Sequence, residues 1–106
     1  MSDFIDISGV SGASYRFRVA RHPSALPTAA GNFVFVRGDD AGPQILCCGS
    51  TSSLAQAAAL WPAAVEAHQV DAIYIHLNIS RSHRMQVHED IADKHRPPMV
   101  VAHLDN

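Results

Sequence analysis

Residues 31–49, GNFVFVRGDDAGPQILCCG, decide the fold. Asn32 to Arg37 is nearly all β-branched or aromatic, and Gln44 to Cys48 is again mostly apolar. Between them Gly38-Asp39-Asp40-Ala41-Gly42-Pro43 is dense in turn formers. Short runs of that composition, bounded by Gly, Pro and Asp, predict an antiparallel pair at 32–37 and 44–48. Both runs are apolar on both faces, so this hairpin should be central and covered on each side.

Downstream, Ser50-Thr51-Ser52-Ser53 supplies potential N-caps for an alanine-rich stretch, which predicts helix near 52–67. Pro62 is tolerated if it opens a second helical segment over 62–68. Leu54, Ala58, Trp61 and Val65 would then cover one side of the hairpin. Residues 72–79 alternate: Ile73, Ile75, Leu77 and Ile79 on one face, Tyr74, His76 and Asn78 on the other, the polar set being expected in solvent. A helix is predicted at 81–95, capped by Ser80 and stopped by Pro97-Pro98, with Met85, His88, Ile91, Ala92 and His95 on one side. The tail from Met99 to Leu104 is apolar enough for a short strand.

Upstream, residues 4–8 and 14–20 are extended candidates around the turn-rich SGVSGAS, with Arg16 and Arg18 on a wet face. His22-Pro23 to Ala30 is a loop. The fold class is therefore α/β in the mixed, α+β sense: β-β-α-β-α, a small antiparallel-containing sheet covered by helices, with extra N-terminal strands. Residues 1–106 make one domain.

Composition narrows the function classes. With 47% hydrophobic residues the chain folds, and a formal charge of −2 makes the whole molecule no electrostatic trap for nucleic acid. No apolar run approaches the ~20 residues of a membrane span. MSDFIDISG has no signal-peptide pattern, so the cytoplasm is the expected compartment. Adjacent Cys47 and Cys48 point to opposite faces of a strand and are expected as small core residues, not a bridge. The histidines of the last helix, His83, His88 and His95, are not spaced to put two ligands side by side, so no metal site is expected. The basic set Arg81, Arg84, Lys94 and Arg96 could touch phosphate, diluted by Glu89, Asp90 and Asp93.

The order of elements and several local motifs resemble the GIY-YIG endonuclease domain over residues 31–100. Gly31-Asn32-Phe33 stands where that family has Gly-x-Tyr, and Cys47-Cys48-Gly49 where it has Tyr-x-Gly. LWPAAVEAH, DAIYIHLN and RMQVHEDIADKHRPPM look like the parts that follow. Arg84, Asp90, Ile91 and Pro97-Pro98 match positions of the last helix; Val100 replaces an asparagine. The resemblance places Phe33 and Cys47 at the two tyrosines, Ala55 at the catalytic arginine and His88 at the metal-binding glutamate. None of these replacements supplies the chemistry of the group it replaces.

The resemblance therefore implies a non-catalytic binding or interaction module, with no catalytic residues and no cofactor. Phe33, Cys47, Ala55 and His88 are expected to face one depression, packed shut or holding an apolar partner group with His88 as its polar contact. Phe33, Cys47, His88, Arg84 and Arg81 are the binding candidates. Protein or small molecule is the expected partner, with nucleic acid and a homodimer as further possibilities and no membrane. The alternatives are a magnesium- or manganese-dependent DNA endonuclease with a rebuilt site using Arg84, His88 and Glu89, and a small homo-oligomeric regulatory or assembly domain.

Overall fold

A computed structural model describes residues 3–38 and 42–104. The middle of the expected hairpin turn, Asp39–Ala41, lies outside the described residues. Strands β1 (Phe4–Ser8), β2 (Ser14–Ala20), β3 (Gly31–Arg37) and β4 (Gln44–Thr51) are followed by α1 (Trp61–His68), β5 (Ala72–Leu77), α2 (Arg81–His95) and β6 (Met99–Leu104). The strands form one open mixed sheet in the order β1-β2-β5-β3-β4-β6. All neighbours are antiparallel except β4 and β6. β3 is central as its composition required, pairing with β4 on one side and β5 on the other. The tail does form a strand, parallel to β4 at the sheet's edge.

The sheet is covered on both faces, and alternation along β3 assigns the layers. Phe33 and Phe35 pack with Ile73, Ile75, Leu54, Ala57 and Ala64 under the helical connection. Val34 and Val36 pack with Phe17, Cys48, Tyr74, Val87 and Ile91 under α2. In β4 the ladder skips Leu46: Phe35 pairs with Cys47 and Val36 with Ile45. This bulge sends Leu46 and Cys47 into the same layer, whereas Cys48 faces α2. Both thiols are free and buried, as expected of small core residues.

The helical connection departs from expectation. Leu54–Leu60 is a 3-10 segment, and the α-helix begins only at Trp61. Pro62 lacks the N–H that would reach back into an α-helix through 58, and its ring crowds the carbonyl there. A 3-10 turn instead stacks Leu54, Ala57 and Leu60 on one side, where they meet the core. Val65, expected in the core, is 40% exposed. The expected polar face of β5 is also corrected: Tyr74 and Asn78 are buried and His76 is half-buried, because α2 and β2 cover that side. His76 stacks on Phe17, with centroids 5.3 Å apart, and its Nδ1 lies 2.9 Å from the Arg16 carbonyl.

Helix α2 has its expected bounds. Ser80 Oγ accepts from His83 N–H, and Arg96 takes a left-handed conformation (φ +46°) ahead of Pro97. Its buried residues are Arg84, Val87, His88 and Ile91. Met85 is half-buried and His95 exposed, so the buried stripe is rotated from the expected one. Among the described residues no helix is long and apolar enough to cross a membrane.

Candidate functional site

The four residues that the resemblance would match to catalytic positions do not line one depression. Phe33 and Cys47, each 0% exposed, lie in the layer under the helical connection. Ala55 is half-buried on the 3-10 segment of that same side. His88 is buried on α2, across the sheet from them. The physical reason is period two: an odd position of β3 faces one layer, and α2 packs on the even positions. The ring of Phe33 fills the space above Gly49, its ladder partner, where an added Cβ would come within 2.3 Å of the ring. Burial pushes the Cys47 thiol up to about 12, which keeps it protonated and inert.

The structure instead gathers polar groups at the head of α2. Nη1 of Arg84 donates to the carbonyls of Ile79 (2.7 Å) and Asn78 (3.3 Å). Asn32 Nδ2 donates to the Arg84 carbonyl at 2.9 Å. Asn78 Oδ1 lies 3.2 Å from His83 Nδ1. These bonds join the end of β5, the start of β3 and the first turn of α2. Four buried atoms here have no hydrogen-bond partner: Asn32 Oδ1, Asn78 Nδ2, Arg84 Nε and, one turn on, His88 Nδ1. Their residues are 1%, 8%, 5% and 3% exposed, so water does not satisfy them from outside. Each such atom costs about 1–3 kcal/mol. Desolvation lowers the His88 pKa, opposed by the carboxylates of Glu89 and Asp93, so the ring is held neutral. Of the remaining candidates, Arg81 and Glu89 are exposed on α2.

A second polar site was not anticipated. The Asp90 carboxylate accepts from Ser11 N–H (2.8 Å), Ser11 Oγ (2.6 Å) and Tyr15 Oη (2.6 Å). Val10 N–H donates to the Asp90 carbonyl. Gly9 lies so close to this carboxylate that a Cβ there would stand 2.0 Å from Oδ2. The bonds from Ser11, then from Tyr15, hold Asp90 below the usual carboxylate range, and the same carboxylate raises the Tyr15 phenol. An open groove of about 370 Å3 runs past this cluster along Gln86, Glu89 and Asp93. Another, about 380 Å3, lies between β1, Pro43, Ile45 and His95. The available signal was the SGVSGAS turn, in which Gly9 makes the close approach and Gly12 has open space around it. Among the described residues no three His, Cys, Asp or Glu side chains gather as a metal-ligand set.

Comparison of the chain with protein-family models, with curated proteins and with solved structures found no match.

Proposed function

We propose that this chain is a cytoplasmic binding module on a GIY-YIG-like frame, without nuclease chemistry at the family's positions. The observation that carries the proposal is the burial of Phe33 and Cys47: at 0% exposure, neither position can meet a substrate. Phe33 moreover has no hydroxyl to donate or ionise. The order β3, β4, helical connection, β5, α2 supports the likeness of frame. Two buried free thiols suit a reducing compartment.

The test is incubation with supercoiled plasmid and with single-stranded DNA, in magnesium and in manganese. The expected result is no cleavage above background. Metal-dependent turnover that co-purifies with the protein and disappears in His88→Ala would establish a rebuilt nuclease site and end the proposal.

A further inference from the structure

Arg84 carries a guanidinium, a planar cation with five N–H donors and no acceptor. It is 5% exposed. The ion pairs found among the described residues, Arg16–Asp6 and Arg21–Asp3, lie elsewhere. Two backbone carbonyls soften its burial without neutralising it. The hydrogen bonds found for the guanidinium all use Nη1, and Nε is unpartnered. The side of the fork bearing Nε, an edge that accepts an oxyanion side-on, is therefore unused.

The surroundings favour an anion and narrow its kind. Arg84 sits in the first turn of α2, a helix of fifteen residues, where the helix dipole adds positive potential. Asn78 Nδ2 offers a second unused donor. Asn32 Oδ1 is different, because it is an unused acceptor: Nδ2 of the same amide is committed to the Arg84 carbonyl, which fixes the amide's orientation. A group that satisfies this set must accept from Arg84 and Asn78 and also donate to Asn32. A protonated phosphoryl group does both. Sulfate and carboxylate accept only at neutral pH. The unpartnered atoms are covered, and Ile79, whose carbonyl Arg84 holds, lies beside them at the surface, 90% exposed, so a ligand reaches them by displacing this segment.

We propose that the head of α2 binds a protonated phosphoryl group, inorganic phosphate or a phosphomonoester, through Arg84, Asn78 and Asn32. The proposal rests on the chain being a binding module, but not on the GIY-YIG likeness. The test is a titration of the whole chain at constant ionic strength, following the Arg84 Nε–H and Asn78 side-chain amide resonances. The probes are inorganic phosphate, methyl phosphate, sulfate and chloride. A saturable shift at both groups is expected with phosphate or methyl phosphate, with sulfate at least tenfold weaker; the tighter of the first two names the source. Arg84→Gln should abolish the response at the Asn78 amide, the group both proteins share. If that variant does not fold, Asn78→Ala should weaken it several-fold.

No saturable shift up to about 20 mM phosphate, where even a millimolar site is nearly filled, overturns the proposal. So does sulfate binding as well as phosphate, or a folded Arg84→Gln that responds like the wild type. A failed titration beside uncut plasmid removes the phosphoryl site and leaves the module; cut plasmid removes the module itself.

Discussion

Gly49 shows how far one residue can constrain a central strand pair. Phe33 lies across the ladder from it, and the ring occupies the volume that a β-carbon would need. The Val101 carbonyl, on the other side, stands 2.9 Å from the same point, so the backbone cannot give way freely. Gly49→Ala is therefore expected to destabilise the fold by about 1–3 kcal/mol, the usual range for overpacking. A denaturation midpoint equal to wild type would show that the ring moves aside without cost. His88 acts by charge. Its folded-state pKa lies below the ordinary 6.5 because burial disfavours the imidazolium. The unfolded chain then takes up the proton first. Stability is fully present above about pH 6.5 and is lost as pH falls from there through the folded-state value. Glu89 and Asp93 blunt this loss, since both favour the charged ring. His88→Leu should flatten that part of the midpoint-against-pH curve. Parallel curves for the two proteins would place the dependence elsewhere.

Between elements, the contact that composition could not supply is the one joining the β1–β2 turn to α2. Asp90 and Ser11 are 79 positions apart, and their bond closes the N-terminal hairpin against the helix. Asp90→Ala should speed amide exchange across residues 4–20 while β3, β4 and β5 keep their protection, because those strands are held by both layers. Uniform acceleration, or none, would deny the turn its clasp. The same clasp, anchored by a carboxylate whose pKa is lowered, holds above the ordinary 3.8 and loosens as pH falls through its folded-state value. The strands themselves were legible because β-branched runs and Gly-Pro punctuation act locally. The stripe of α2 was not, since hydrophobic periodicity cannot anticipate Arg84, buried through carbonyls of Asn78 and Ile79. Nor could local pattern tell that α2 covers the polar side of β5, which put Tyr74 and Asn78 inside. The expected four-residue depression failed for a related reason: it joined positions from two faces of one sheet.

Across the whole molecule, the placement of the eight Lys and Arg residues decides how strongly it meets nucleic acid. Arg16 and Arg21 are paired with Asp6 and Asp3. Arg37 binds the His68 carbonyl and the amides of Gln69 and Gln44, and Lys94 donates to Ser8 Oγ. Arg84 is beneath the surface. Arg18, Arg37, Arg81, Lys94 and Arg96 are therefore exposed cations with no ion pair found among the described residues. Arg81 begins α2 and Arg96 follows its end, about 22 Å away along the axis. The basic set that the sequence grouped on this helix is therefore dispersed, with one member buried. Neutralising a run of phosphates requires cations along a common track, and each contact adds about −0.9 to the slope of log Kobs against log salt. Five dispersed cations limit that slope to roughly −4.5, even if all reach one duplex. Anisotropy titrations with duplex DNA between 50 and 200 mM salt are expected to show weak binding with a slope no steeper than this. A slope near −6 would mean that the paired arginines release their carboxylates on contact, making the duplex and not a single phosphoryl group the partner to pursue.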